Sequence, residues 1–166
     1  LGVVPQQIAG GDIYPSLERG VIDAAEWIGP HDDEKLGFNR VAPFYYYPGW
    51  WEGGLNLSML VNKAQYDALP AHYKLVLDVA GRDATLETIA KYDALNPLAL
   101  RRLVGGGTQL RPFPRPVLEA SYRAAMELYT ETAAANANFK RVWDHMRAFR
   151  ENQIAWFRVA ESNYDN

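Results

Sequence analysis

The sequence predicts an α/β fold, a mostly parallel sheet with flanking helices that is followed by long C-terminal helices. Two short apolar segments, Val3-Val4 and residues 21–27, enclose a helical stretch over about residues 10–19. This strand-helix-strand order within fewer than 30 residues is typical of α/β proteins. In the last third of the chain, apolar residues recur instead at helical spacing.

The strand predicted over residues 21–27 carries the most informative pair of residues in the chain. The segment passes from apolar to small residues and breaks at a Gly-Pro pair at residues 29–30. Glu26 and Trp27 are therefore expected at the carboxyl edge of the sheet. Ligands of open α/β sheets collect at that edge. A short helix is predicted to follow from Pro30.

An aromatic block occupies the middle of the chain. Six of the eight residues at 44–51 are aromatic, and Pro48-Gly49 interrupts them. This composition favours a buried strand or an irregular wall over a helix. Residues 55–61 predict a further strand.

A long helix is predicted after these strands. Asn62 and Gln65 have the spacing of a helix-capping pair, and Pro70 suits the first turn of a helix that runs to about Leu95. Asn96-Pro97 is expected to kink it, and the glycines at 105–107 are expected to end it. Its apolar face consists of Tyr73, Val76, Leu77 and Ala80.

The C-terminal part is predicted to be helical. A short return strand at residues 108–111 and a proline-rich turn precede the first helix. A second helix follows a break around residues 136–138 and spans roughly 25 residues, or about 40 Å. Its apolar stripe consists of Phe139, Val142, Met146, Phe149, Trp156 and Ala160.

Composition restricts the class of protein. With 166 residues, 48% of them hydrophobic and 22% charged, the chain suffices for one folded domain with a sizeable core. Because it has no long apolar run and no basic-then-apolar leader, neither a membrane span nor a signal peptide is expected. Because it starts at Leu1 rather than Met, a mature or truncated product is expected.

Charge and cysteine content exclude further classes. The absence of cysteine rules out disulfides and thiolate metal sites, and is compatible with an oxidising compartment. A net charge of −3 argues against a nucleic-acid partner. Residues 1–60 carry eight acids and three bases, so the acidic character belongs to the first third. An anion that binds there needs an accompanying cation.

Glu26 has two interpretations. It can be a hard oxygen ligand at a cleft, with the Trp27 main-chain carbonyl beside it. It can equally be a strand-end carboxylate that caps the turn at Pro30. The spacing alone does not decide between them.

A second acidic group follows in the run His31-Asp32-Asp33-Glu34. These residues could bind a metal ion, and an enzyme that uses Glu26 with the acids Asp32, Asp33 and Glu34 is one alternative for the function. However, consecutive residues of a helix point in different directions, and acids in a first turn complement the helix dipole.

The aromatic block is either a pocket wall or core. Tyr47 and Trp51 are candidates for lining a ligand pocket, although successive strand residues face opposite ways. Glu52 is a candidate because a carboxylate in an apolar run needs a partner. The chain has no GxSxG, Walker or GxGxxG motif, and no catalytic residue is predicted.

Two stretches resemble a known family. GDIYPSLERGVIDAAEW at residues 11–27 closely resembles the extracytoplasmic solute-binding proteins of TRAP transporters, the DctP-type family. FYYYPGWWEGG at residues 44–54, followed by Asn62-Lys63, is most similar to the branch that binds 2-oxo acids or lactate with a cation. The resemblance covers nearly all of the chain but only about half of a family member.

The resemblance implies two α/β lobes joined by long helices, each lobe like those of type II periplasmic binding proteins. Residues 1–111 would form part of the second lobe with a connecting long helix, and residues 112–166 a C-terminal helical segment. The first lobe, the start of the second, and the arginine that holds the ligand carboxylate in the family are expected to be absent.

The resemblance also implies the function and the site. Glu26 would give its carboxylate, and Trp27 its main-chain carbonyl, to Na⁺ or Ca²⁺ that also binds a pyruvate- or lactate-like monocarboxylate. The Trp27 ring and members of the aromatic block would form apolar walls. The implied protein is periplasmic, catalyses no reaction and delivers its ligand to TRAP membrane subunits.

The last helix has two interpretations as well. By resemblance, it could be exchanged between two protomers of a homodimer. It could instead pack back on its own chain. A helical interaction module over residues 115–164, with the α/β part as scaffold, is a further alternative.

Overall fold

The computed structural model describes residues 1–51, 53–162 and 164. The helices are α1 Gly10–Glu18, α2 Pro30–Leu36, α3 Lys63–Ala68, α4 Ala71–Gly105, α5 Arg115–Ala135 and α6 Ala137–Ala160, and the strands are β1 Phe44–Tyr47 and β2 Gln109–Pro112. A 3₁₀ turn lies at Phe38–Arg40. Among the described residues, no helix combines the length and the apolar character that a membrane crossing needs.

The chain divides into two units. The larger is Val4–Phe113, which contains α1 to α4 and both strands, and the smaller joins Leu1–Val3 to the residues from Pro114 onwards. The assignment of the larger unit to a second lobe stays a prediction.

Local signals place the helix ends as predicted. The Asn62 side chain accepts the Gln65 N–H at 3.2 Å and caps α3. Pro30 is the first residue of α2, and Gly20 has a left-handed φ of +67° just after α1, which suits a helix stop. The Asn136 side chain caps α6 at the predicted break. Each signal acts within one turn, so the sequence alone suffices for it.

The two strands form a parallel pair. Phe44 of β1 lies opposite Gln109 of β2, and Tyr47 lies opposite Pro112. The Phe113 N–H extends the pairing by donating to the Tyr47 carbonyl at 2.7 Å. The parallel pair with its flanking helices confirms the predicted α/β class and the predicted strand near residues 108–111.

Three other predicted strands are wrong. Residues 3–4, 21–27 and 55–61 do not form strands in the described chain. Their apolar composition suits a strand, but a strand exists only where a neighbour takes up its hydrogen bonds. Glu26 and Trp27 therefore lie on an irregular segment between α1 and α2 rather than at the end of a strand.

Helix α4 continues past Leu95 and through Pro97, and it ends at Gly105. A proline removes one backbone hydrogen bond, which a long helix tolerates when its surroundings compensate. The predicted stop at the glycines of 105–107 is confirmed.

The buried apolar side chains of the larger unit come from α1 and α4. Ile13, Ala99 and Leu103 are its buried apolar side chains in the described chain. In the smaller unit, α5 and α6 pack through Tyr129, whose ring lies 4.6 Å from that of Trp143, centroid to centroid. Most of the predicted stripe on α6 is exposed, including Val142, Met146, Phe149 and Trp156.

We expect opposite effects of alanine at two glycines. Gly37 ends α2 with φ +73°, so Gly37→Ala should lower the free energy of unfolding by about 1–2 kcal/mol. Gly81 lies inside α4 with open space around its Cα, so Gly81→Ala should raise it by about 0.5–1 kcal/mol. Urea unfolding of both variants measures the difference. A gain in stability for Gly37→Ala would contradict the assigned backbone conformation.

Candidate functional site

A cavity of about 1020 Å³ opens in the larger unit. Its wall combines the irregular segment at residues 22–29, strand β1, and Leu100 and Leu103 of α4. Glu26 and Trp27 both line it, and the Glu26 side chain is exposed while Trp27 is half-buried. The two residues singled out in the sequence therefore lie side by side on a concave surface.

The other predicted site residues are distributed unevenly. Tyr47 lines the cavity. Trp51 does not belong to the described lining, and it packs edge-on against Phe113, which does. Its role in the site stays a prediction. Glu52 lies outside the described residues.

Trp27 is held by close packing on two sides. Its six-membered ring lies against the backbone of Gly10, where an added Cβ would stand 2.6 Å from Trp27 Cη2. Its other neighbour is Phe38, an edge-to-face contact with ring centroids 6.4 Å apart. Glycine at position 10 is therefore required by the indole, because any side chain there would displace the ring.

Asp33 connects the segment that carries Glu26 and Trp27 to β1. Its Oδ1 accepts the N–H groups of Ile28 at 3.4 Å and Gly29 at 3.3 Å, and its Oδ2 accepts the Tyr45 hydroxyl at 2.5 Å. Asp33 is only 8% exposed. Burial raises the pKa of Asp33 despite these hydrogen bonds, and burial together with the bond to Asp33 raises the pKa of Tyr45.

The neighbours of Asp33 attach α2 to α4. The Tyr92 hydroxyl donates to Asp32 Oδ2 at 2.7 Å, and the His31 N–H donates to Asn96 Oδ1 at 3.0 Å. Glu34 accepts two bonds from the Arg102 guanidinium, at 2.6 and 2.7 Å.

These contacts decide the interpretation of the acidic run. Each of its carboxylates faces a different protein partner, as the divergence of successive helix positions predicts. Within residues 1–51, 53–162 and 164, no three His, Cys, Asp or Glu side chains are grouped so as to hold a metal ion. The contacts therefore favour structural roles for Asp32, Asp33 and Glu34 over a metal cluster.

The Glu34–Arg102 pair should make stability depend on pH. The Arg102 guanidinium holds the pKa of Glu34 below its ordinary 4.5, so the stabilisation is present above pH 4.5 and is lost as the pH falls through the folded pKa. Arg102→Gln should therefore lower Tm slightly at pH 7. The difference in Tm between this variant and the unchanged protein should disappear below about pH 4.5. Thermal unfolding across this pH range measures it.

Arg101→Gln is the matched control for that measurement. Arg101 is the adjacent arginine of α4 and makes no ion pair within the described part of the chain. Its replacement should leave Tm unchanged at either pH. Equal losses in the two variants would contradict a specific role of the Glu34–Arg102 pair.

Aromatic rings form one side of the cavity. Tyr46 and Phe113 both line it, with ring centroids 5.1 Å apart. Trp51 contacts Phe113, and Trp50 contacts Trp51. A wall of this kind offers apolar surface to a small organic ligand.

Sequence reasoning missed three residues of this site, namely Gly10, Asp33 and Tyr45. Asp33 was interpreted as part of an acidic first turn or as a metal ligand, and Tyr45 as a member of the aromatic block, but neither was expected to bond to the other. The hydrogen bond between them joins positions 12 residues apart. No local pattern signals it, because it depends on how β1 lies against α2.

Comparison with known proteins identifies the family. Residues 1–136 match the bacterial extracellular solute-binding proteins of family 7, DctP. The chain belongs to this family. The resemblance stated from the motifs at residues 11–27 and 44–54 is thereby confirmed.

A curated relative is the monocarboxylate 2-oxoacid-binding periplasmic protein of Nostoc sp. strain PCC 7120. It is 47% identical over 166 residues, which is 100% of this chain and 46% of the relative.

Two solved structures of TRAP solute-binding proteins are also similar. The protein from Bordetella bronchiseptica RB50 is 51% identical with a TM-score of 0.96, over 99% of this chain and 49% of that one. It is a mixed occupancy dimer with a calcium- and picolinate-bound active site and an apo site. The protein from Colwellia psychrerythraea, with calcium and pyruvate bound, is 33% identical with a TM-score of 0.93, over 98% and 50%.

These matches confirm the predicted fold class. The chain spans about half the length of each of the three relatives.

Proposed function

We propose that this chain provides part of the binding site for a small 2-oxo or 2-hydroxy monocarboxylate, which is held together with Ca²⁺. The observation that carries the proposal is the position of Glu26 and Trp27 on one wall of an aromatic-lined cavity. An acidic side chain beside apolar rings suits an anionic ligand only when a cation lies between them.

The oxygen donors at this wall fit such a cation in part. The Glu26 carboxylate and the Trp27 main-chain carbonyl are hard donors, which Ca²⁺ prefers, but Ca²⁺ takes 6–8 oxygens. Two residues cannot supply that number, so the ligand, water and other parts of the protein must complete the shell. When bound, the cation would neutralise the repulsion between Glu26 and the ligand carboxylate.

The relatives support the ligand class and the choice of cation. Calcium is bound in both solved structures, with picolinate in one and pyruvate in the other. Both ligands have a second donor atom on the carbon next to the carboxylate, so each can chelate a cation. Of the two predicted cations, we therefore propose Ca²⁺ rather than Na⁺.

The proposal includes the setting of the protein. The curated relative is named a periplasmic protein and the solved ones are TRAP solute-binding proteins, which supports a periplasmic location and delivery of the ligand to TRAP membrane subunits. We propose no catalysis, because the relatives are named as binding proteins and Asp32, Asp33 and Glu34 face protein partners.

A homodimer is proposed on separate grounds. The apolar stripe of α6 is exposed in the described chain, and the Bordetella relative is a dimer. Removal of residues 138–166 should convert the dimer to a monomer, so that the particle mass measured in solution falls to about half, without changing ligand specificity. An unchanged mass would contradict a dimer formed through α6.

Calorimetry on the full-length protein that contains this chain tests the function. Pyruvate, lactate and longer 2-oxo acids should bind in the presence of Ca²⁺ and lose affinity after chelation of the metal. Binding that is equally tight without Ca²⁺ would contradict a shared coordination shell. Turnover of a candidate substrate that disappears in Asp32→Ala would favour the metal-dependent enzyme instead.

A further inference from the structure

Asp33 forms hydrogen bonds to two parts of the cavity wall, the segment after Trp27 and strand β1. Through Oδ1 it holds the N–H groups of Ile28 and Gly29, which directly follow Trp27 in the chain. Through Oδ2 it holds the hydroxyl of Tyr45 in the aromatic strand. Asp33, Ile28, Gly29 and Tyr45 all line the cavity.

We propose that Asp33 is the positioning residue of the site, and that its carboxylate sets the distance between the Glu26-Trp27 segment and the aromatic wall of β1. This inference rests on the proposed function, because it assigns the role of a residue in that same binding site. Asp33 acts through Glu26, Trp27 and Tyr45, not as a ligand of the cation.

The surroundings of Asp33 distinguish positioning from a general role in packing. Helix α2 is already attached to α4 through Asp32, His31 and Glu34, none of which bonds to the Glu26-Trp27 segment in the described structure. Asp33 alone of this run has both oxygens directed at the cavity wall. A carboxylate that is 8% exposed also costs desolvation, which an apolar residue at the same position would avoid.

The segment held by Asp33 is also bonded at both of its ends: the Val21 and Ile22 N–H groups donate to the Ser16 carbonyl, and the Asp32 and Asp33 N–H groups donate to the Gly29 carbonyl. Residues 21–27 are not in a strand, so no strand ladder fixes the height of Glu26 above the cavity. Trp27 packs on Gly10 and Phe38 through its ring, which restrains the indole. The two N–H groups bonded to Asp33 restrain the backbone that directly follows Trp27.

Two tyrosines provide a matched test. Tyr45→Phe and Tyr92→Phe each remove one hydroxyl that donates to an aspartate of α2, at 2.5 and 2.7 Å respectively. In the full-length protein, both should lower Tm. Only Tyr45→Phe should weaken pyruvate binding in the presence of Ca²⁺, by roughly tenfold, while Tyr92→Phe should change it less than about twofold.

Substitutions of Asp33 separate charge from geometry. Asp33→Asn keeps an oxygen for the Ile28 and Gly29 N–H groups and can donate to the Tyr45 oxygen, so pyruvate affinity should stay within about threefold. Asp33→Ala removes both connections and should weaken binding by roughly thirtyfold. Adding Tyr45→Phe to Asp33→Ala should cause no further loss, because the hydroxyl then has no partner to position.

Each outcome is decisive. Equal losses of affinity in Tyr45→Phe and Tyr92→Phe would reduce Asp33 to a stabilising residue, and additive losses in the double variant would show that Tyr45 acts on the ligand directly. Either result overturns the proposal. If Asp33→Ala does not fold, the comparison of pyruvate affinity between Tyr45→Phe and Tyr92→Phe still tests the proposal. Failure of the unchanged protein to bind pyruvate with Ca²⁺ would instead overturn the proposed function.

Discussion

Replacement of Glu26 by glutamine is expected to weaken Ca²⁺-dependent binding of pyruvate by about 100-fold or more. The side chain lines the cavity beside Trp27, and the substitution keeps its size but removes its charge. The affinity of oxygen sites for Ca²⁺ varies over several orders of magnitude with the number of charged ligands. Calorimetric titration of the full-length protein with pyruvate, at fixed Ca²⁺, measures the loss.

Asp23→Asn is the control for Glu26→Gln. Asp23 lines the same cavity and lies three positions earlier in the chain, so its replacement changes the charge of the cavity by the same amount. If the negative field alone attracted the cation, both variants would lose affinity equally. We expect Asp23→Asn to change it less than about threefold. If Glu26→Gln kept full affinity, Glu26 could not be a ligand of the cation.

Features that depend on one turn of chain could be predicted from the sequence. The cap of α3 by Asn62, the start of α2 at Pro30 and the cap of α6 by Asn136 all follow from local hydrogen bonding. The positions of α5 and α6 followed from apolar spacing.

Strands could be predicted less well, because they are defined by their neighbours. Residues 55–61 are as apolar as a strand requires, yet only β1 and β2 pair in the described chain. The hydrogen bonds of the Phe44–Tyr47 strand go to residues more than 60 positions away. Composition shows that a segment can form a strand, but not whether another strand is available to pair with it.

The candidate site was predicted in part. Glu26, Trp27 and Tyr47 were proposed from sequence, and the structure places all three on the cavity wall. The contacts that hold them were not foreseen. Gly10 precedes Trp27 by 17 positions, and its role becomes visible only when the indole is seen to lie against its backbone.

Replacement of Gly10 by alanine is expected to weaken pyruvate binding in the presence of Ca²⁺ by roughly tenfold. The new Cβ would stand 2.6 Å from Trp27 Cη2 and 3.3 Å from two further ring atoms, so the indole must move. Overpacking of this kind typically costs about 1–3 kcal/mol, and 1.4 kcal/mol corresponds to a tenfold change in affinity. The contact with Phe38 limits the directions in which the ring can yield.

Gly11→Ala separates that effect from a change in helix propensity. Gly11 is the next residue of α1, and no atom lies within 4 Å of the Cβ that alanine would add. Both substitutions favour the helix, but only Gly10→Ala meets the indole. We therefore expect Gly11→Ala to leave affinity unchanged and Tm equal or higher. Equal affinities in the two variants, measured by the same titration, would show that Trp27 need not keep its position for the ligand to bind.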